Sequence, residues 1–432
     1  MLLLQDYNTR IVLLGTLLLG VAAGLVGAFM LLRKRALVGD VVSHASLPGI
    51  AIAFLVMEWI QSGSGKWLPG LLLGGGLAGL TGVLAALGIR RFSRIREDAA
   101  LAIILSLFFG LGISLFSVIQ QMKKGNVAGL NDFIYGKASS MLASDVVLLG
   151  LMAVNVIIVC LAFTKEMLLI CFDEEFAAAQ GWPVSALDVQ LMVLVVTVTV
   201  IGLQSVGLLL VVAMLITPAA AARFWTDQFG RMLWLSAFLG GLSAALGVMI
   251  SALFPRLAAG AIIVLMGGVV FAISLIVGTR RGVWHRWRAQ RESTRRVGRH
   301  DLLRALYECA TAPGATGDLN ERSVFFAELV ARRSWSQSRV KRLLKIAERE
   351  GLIAPAAPGT WRLTKGGAIE AQRVARNHRL WELYLITHAD IAPSHVDRDA
   401  DEIEHKLDPE VIQELETLLL HQVQDVPPSP HA

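Results

Sequence analysis

Cysteine is scarce: Cys160, Cys171 and Cys309 are the only three in 432 residues. They form no C-x-x-C pair and no plausible disulfide framework, which excludes a stapled secreted fold and fits a reducing cytoplasm. Histidine is scarcer still in the first two thirds of the chain, where residues 1–278 hold His44 alone. A nucleotide-binding loop is missing. Gly65-Lys66 is followed by Trp67 where the motif needs Ser or Thr, and Ile60 stands where its first glycine belongs. The first apolar run has no charged leader and no convincing cleavage site, so it reads as a retained span and not a signal peptide.

What is present is apolar. Hydrophobic residues make up 55% and mean hydropathy is +0.59, values that indicate membrane spans. The excess fills residues 11–278 and stops there. Nine runs of bilayer-crossing length stand at 11–32, 36–60, 68–89, 99–119, 140–163, 186–203, 206–222, 232–253 and 257–278. Arg33-Lys34-Arg35, then Arg90, Arg91, Arg94 and Arg96, then Arg223 and Arg231 fall on one side if the spans alternate. By the positive-inside rule that side is cytoplasmic and the N-terminus lies outside, although Lys123, Lys124 and Lys137 in an outer loop weaken the bias.

Charge divides the rest. Residues 279–300 hold eight Arg and one Glu, a net of +7, whereas residues 301–432 carry −4. The expected architecture is therefore all-α: a polytopic membrane bundle of about nine spans followed by a soluble winged-helix-like domain. The expected boundaries are a membrane-spanning domain at 1–278, a basic linker at 279–300, a winged helix-turn-helix-like part at 301–365, further helices at 366–425 and a disordered tail at 426–432. Within the soluble part the pattern predicts helices at 301–310, 322–332, 336–350, 366–387 and 397–421, with a hairpin-like wing at 351–363.

Ionisable side chains within spans are costly and mark function. Asp40 and His44 share a helical face at i and i+4. An acid oxygen and an imidazole nitrogen suit Mn²⁺, Fe²⁺ or Zn²⁺, whereas Cu⁺ prefers sulfur. Spacing alone equally allows the two to hydrogen-bond each other. Pro48-Gly49 predicts a break or bend just beyond. In the loop 164–185, Asp173, Glu174 and Glu175 precede Phe176, Ala177 and two more alanines, and Gly181 with Pro183 closes the segment. That pattern predicts a short surface helix, either an ordinary connector or a docking element for another protein. Between Arg332 and Arg349 lie seven basic residues and one acid. Ser336, Gln337 and Arg339 open that helix and are candidate DNA contacts, against the alternatives of a solvated face or a protein-docking module. The −4 charge of the domain argues against a general DNA binder.

The stretch Arg35-Ala-Leu-Val-Gly-Asp40, continued by Ser43-His44-Ala-Ser-Leu-Pro48-Gly49-Ile-Ala51, resembles the signature of the zinc/manganese/iron ABC permease family. Glu97–Ile104, Tyr135-Gly136-Lys137, Val206–Leu210 and Thr217–Arg223 resemble further motifs of that family in the same order, over about residues 10–278. The resemblance implies that Asp40 and His44 line the metal path and that Asp173–Gly181 couples to a separate ATPase. It also implies an external metal-binding protein and a second permease subunit as partners, in a bacterial cytoplasmic membrane. Mn²⁺ or Fe²⁺ is favoured as cargo, with Zn²⁺ as the other candidate, and no permanently bound cofactor is expected.

The segment from Leu363-Thr364-Lys365-Gly366-Gly367 through His378-Arg379-Leu380-Trp381-Glu382 to Glu404-His405 is similar to diphtheria-toxin-repressor-like metalloregulators, over roughly 300–420. That resemblance implies that Asp301, His378, Asp401, Glu404 and His405 fall on metal-ligand positions, where the other reading is an acidic surface cluster. Arg304 departs from it, standing where the manganese-sensing members use a carboxylate, and Asp401 is shorter than the usual Glu. The leading expectation is a transport subunit with no ATPase of its own. The alternative is a membrane-tethered metal-responsive transcription regulator, which nine spans far exceed. A stand-alone secondary transporter would call for paired acids within the spans.

Overall fold

The computed structural model of the chain describes residues 7–61, 65, 67–121, 143–205, 207–254, 258–312, 318–332 and 335–388. It divides into two compact units, Met1–Arg286 and Trp287–Ala432. The first unit is built from α1 (Tyr7–Leu32), α2 (Leu37–Ile60), α3 (Leu68–Phe92), α4 (Glu97–Gln121), α5 (Ala143–Ala162), α6 (Thr164–Phe172), α7 (Glu174–Ala179), α8 (Val184–Ser205), α9 (Leu208–Arg223), α10 (Phe229–Leu253) and α11 (Ala259–Val277). Eight of these are long and apolar enough to cross a membrane. The expected seventh span is shorter than the rest. Gly207, in the left-handed region at φ +93°, separates α9 from α8 and leaves α9 with 16 residues. At 1.5 Å per residue that is about 24 Å, less than a hydrocarbon core of roughly 30 Å.

In α1, α2, α8 and α10, more than half of each apolar stretch is enclosed by protein; in α3, α4, α5 and α11 most of it is not. Every backbone group in a span must bond within its own helix, so helices packed side by side are the available solution. Small residues bring them close. Ser236 of α10 donates its hydroxyl to the Gly24 carbonyl of α1 at 2.6 Å, an interhelical bond between buried groups.

The break expected at Pro48-Gly49 does not occur, because α2 continues through both residues. Pro48 has no N–H to give to the His44 carbonyl. Packing on both sides holds the helix instead. Gly49 of α2 lies so close to the Gly74 carbonyl and Ala78 of α3 that a Cβ there would overlap them. On the α4 side, a Cβ on Gly112 would stand 2.7 Å from the Leu47 Cβ.

The boundary between the units falls within α12 (Val283–Ala310), which begins 18 residues before the expected helix start at 301 and runs through most of the basic stretch. Arg, Gln and Ala are good helix formers, and no proline interrupts them. Then follow β1 (Ser323–Phe325), α13 (Phe326–Arg332), α14 (Gln337–Arg349), β2 (Ile353–Ala357), β3 (Thr360–Leu363) and α15 (Lys365–His388). The helix expected over 322–332 is thus a short strand followed by a seven-residue helix. The wing is an antiparallel hairpin, and the sheet order is β1-β3-β2. Val340, Leu344 and Ala347 line one face of α14 and meet Leu302, Leu303, Leu306, Leu329, Ile353 and Leu363 in the core of this unit. The expected helix 397–421 and the tail 426–432 lie outside the described residues, as does Tyr135-Gly136-Lys137.

Candidate functional site

Asp40 stands in the first turn of α2, where a carboxylate is favoured by the helix dipole. One turn on, His44 Nε2 lies 3.4 Å from Asp40 Oδ1. The Phe109 ring of α4 stands edge-on to the imidazole, 4.9 Å between centroids at 88°. His44 Nδ1 is buried and has no hydrogen-bond partner among the described residues. The Asp40 side chain is 39% exposed and that of His44 15%, so the pair opens outward from this bundle. The separation suits a shared ion: two ligands each about 2.1 Å from a metal at a tetrahedral angle stand about 3.4 Å apart. No group of three or more His, Cys, Asp or Glu side chains that could hold a metal ion occurs among the described residues.

Six residues before Asp40 the chain turns through Lys34, at φ +58°, and this turn directs two arginines to one acid. Arg33 Nη2 and Arg35 Nη1 each lie 2.7 Å from Asp188 Oδ1 in the first turns of α8. Arg35 also reaches Asp188 Oδ2 at 2.7 Å and, through Nε, Glu97 Oε1 at 3.1 Å. Glu97 in turn holds Arg90 at 2.7 Å. Arg33 Nη1 donates to the Ile170 carbonyl of α6 at 2.8 Å and to Glu174 Oε2 of α7 at 3.0 Å. Burial works against the Arg33 charge, but Asp188 and Glu174 outweigh it and hold the guanidinium above its usual pKa. One ionic network therefore ties the end of α1, the start of α2, the end of α3 and the starts of α4, α7 and α8. The end of α1, the start of α2, the end of α3 and the starts of α4 and α8 thus meet at one place. Asp188 was missed by sequence reasoning, which treated Asp40 as the acid deep within a span. The signal was there: an acid five residues into an apolar run that begins at Val184.

The loop 164–185 folds as two short helices. Asp173 caps α7 by accepting from the Phe176 amide at 2.8 Å. Glu174 and Glu175 follow in the first turn, Ala177 is buried, and Phe176 is half exposed. Gly181, at φ +83°, makes the turn out, a conformation that favours glycine.

In the second unit the predicted residues part company. Ser336 is the N-cap of α14, accepting from the Arg339 amide at 3.4 Å, and Gln337 is the first helical residue. Arg339 pairs with Asp301 at 3.5 Å, so a candidate DNA contact and a candidate metal ligand hold each other. His378 is buried against Arg304, whose Nη1 lies 2.7 Å from its Nε2, and against Glu382 Oε1 at 3.1 Å. Burial pushes the Glu382 carboxyl up, but the His378 bond and the Arg379 charge win and hold it below the usual carboxylate range. Asp401, Glu404 and His405 lie outside the described residues.

Residues 5–278 match the family model described as the ABC 3 transport family. Residues 364–431 match the one described as iron dependent repressor, metal binding and dimerisation domain. The manganese transport system membrane protein MntC of Bacillus subtilis is 37% identical over 396 residues, 92% of this chain and 88% of that protein. That alignment is too long to stop at the last span. The zinc transport system membrane protein TroC of Treponema pallidum is 42% identical over 68% of this chain and 97% of its own length. Among solved structures, PsaBC from Streptococcus pneumoniae in complex with Fab is 32% identical with a TM-score of 0.57, covering 65% of this chain and 95% of that one.

Proposed function

The chain belongs to the ABC 3 transport family, and on that premise we propose that it is the permease subunit through which a divalent first-row transition metal enters a bacterial cell. Mn²⁺ or Fe²⁺ is the favoured cargo, with Zn²⁺ next; relatives named for manganese and for zinc support that range. The observation that carries the reading is the Asp40–His44 pair. It is an oxygen and a nitrogen donor at chelating distance on a span otherwise almost wholly apolar.

A partly exposed carboxylate cannot face lipid at low cost. A second permease subunit set against this face of α2 would cover it and line an aqueous path with it. Metal delivered by an external binding protein would leave water for Asp40 and His44 in transit, with few ligands and so without a deep trap. Energy would come from a separate ATPase seated on α7. The Arg33–Glu174 and Arg33–Asp188 pairs would carry its movement to the turn that leads into α2. In this reading the N-terminus is outside and the second unit is cytoplasmic.

Accumulation of radiolabelled Mn²⁺ by cells tests the proposal. Asp40→Asn and His44→Ala should each abolish uptake while the protein remains in the membrane. Uptake at the parent rate in the double variant would sink it.

A further inference from the structure

The C-terminal unit matches a metal-binding domain, yet the side chain set against its best candidate ligand is itself a cation. Arg304 of α12 is 2% exposed and is the largest fully buried side chain described. Its Nη1 lies within hydrogen-bond distance of both ring nitrogens of His378, 2.5 Å from Nδ1 and 2.7 Å from Nε2. Its Nε lies 3.5 Å from Glu308 Oε1. Glu382, fully buried, approaches His378 Nε2 through one oxygen and accepts from Arg379 Nη1 at 2.6 Å through the other. Arg379 also comes within 3.9 Å of Glu308.

We infer that this pocket carries a built-in substitute for a metal ion: the Arg304 guanidinium takes the place beside His378, and the unit does not bind Mn²⁺ or Fe²⁺ there. Three physical arguments support this. A metal needs a free lone pair on a neutral imidazole, which has one lone pair and one N–H; Arg304 Nη1, a donor only, stands against the ring nitrogens and Glu382 Oε1, an acceptor, against Nε2, so lone pair and N–H both have partners. An ion bound about 2.1 Å from either nitrogen would compete with the guanidinium for the same small space. Two cations, Arg304 and Arg379, already stand beside Glu308 and Glu382 among the described residues. A divalent ion at His378 would be set against both of them in a mostly buried place. The residues therefore do not fit a resident ion at His378. A side chain tethered to its own helix cannot leave when free metal falls, so the pocket is held in its cation-filled form at all metal levels.

The inference goes beyond the transport reading and does not rest on it. The test uses the full-length chain in detergent, in an Asp40→Asn/His44→Ala background that removes the membrane pair. Mn²⁺ alone is the probe, and its free ion is read by electron paramagnetic resonance. The decisive quantity is binding that disappears on His378→Ala; binding elsewhere is common to all variants and subtracts. In the background chain that difference should be nil. In Arg304→Gln, which shortens the side chain and removes the charge but keeps a polar amide, about one equivalent of His378-dependent Mn²⁺ should appear, and the same in Arg304→Ala. His378-dependent binding in the background chain would overturn the inference, and so would a folded Arg304→Gln chain that gains none. Should neither variant fold, the background chain decides alone, since His378-dependent binding there refutes the inference and its absence upholds it.

Discussion

Arg35 closes on Asp188 across 153 residues of sequence, its Nη1 2.7 Å from each carboxylate oxygen. The pair fixes the entrance of α2, and so of Asp40, to the start of α8. Arg33 joins the same acid and extends the contact to α7.

Removing the Asp188 charge should cost more than removing either arginine alone, because two nearly buried guanidinium groups lose the acid they share and keep only Glu174 and Glu97. Breaking a buried pair in this way costs on the order of 3–5 kcal/mol. Asp188→Asn is expected to lower the melting temperature in detergent and to abolish metal-dependent uptake. Arg35→Gln added to Asp188→Asn should recover part of the stability. If Asp188→Asn melts with the parent, the network is a solvated surface cluster.

The coupling role of α7 predicts a different phenotype. Glu175→Lys with Phe176→Ala should leave the chain in the membrane and its melting nearly unchanged, yet lose copurification of the ATPase; Glu174→Lys should lose it too and also lower the melting temperature by setting a cation against Arg33. Gly181→Pro should do the same by closing the left-handed turn, since proline holds φ near −65°. Both variant classes retaining the ATPase and hydrolysing in step with transport would place docking on another loop.

Gly49 and Gly76 form a matched pair. A Cβ on Gly49 meets α3 backbone, which cannot swing away, whereas one on Gly76 meets nothing within 4 Å. Gly49→Ala should therefore reduce the monodisperse yield in size-exclusion chromatography severely, and Gly76→Ala should not. Equal yields would mean that α2 and α3 separate easily.

Burial pushes the Cys171 thiol up to about 11, with Arg33 pulling the other way and Asp188 adding to the rise. A raised pKa leaves little thiolate at neutral pH. A chain with Cys171 as its only cysteine should be alkylated slowly at neutral pH and faster as pH approaches that value. Labelling at neutral pH that increases when the ATPase is present would report opening of the α1–α6 contact, where Cys171 Sγ now lies 4.0 Å from the Phe29 carbonyl. Fast labelling of the isolated chain would show that the contact is already open.

The sequence by itself determined the class of this protein. Runs of apolar residues long enough to span a bilayer, a basic collar at 279–300 and one acid–imidazole step at Asp40 and His44 are local or periodic signals, readable without a fold. The α7 cap, the turn at Gly181 and the wing between β2 and β3 were legible for the same reason, since each depends on a few neighbouring residues. Tertiary structure decided the rest, because a partner across the bundle leaves no trace in spacing. Nothing near Asp188 announces two arginines 153 and 155 residues away. Pro48 looks like a break until α3 and α4 are seen closing on both sides of it. Arg304 reads as a mismatch in a ligand pattern, and only the fold, by bringing α12 against α15, sets its guanidinium against His378, 74 residues away.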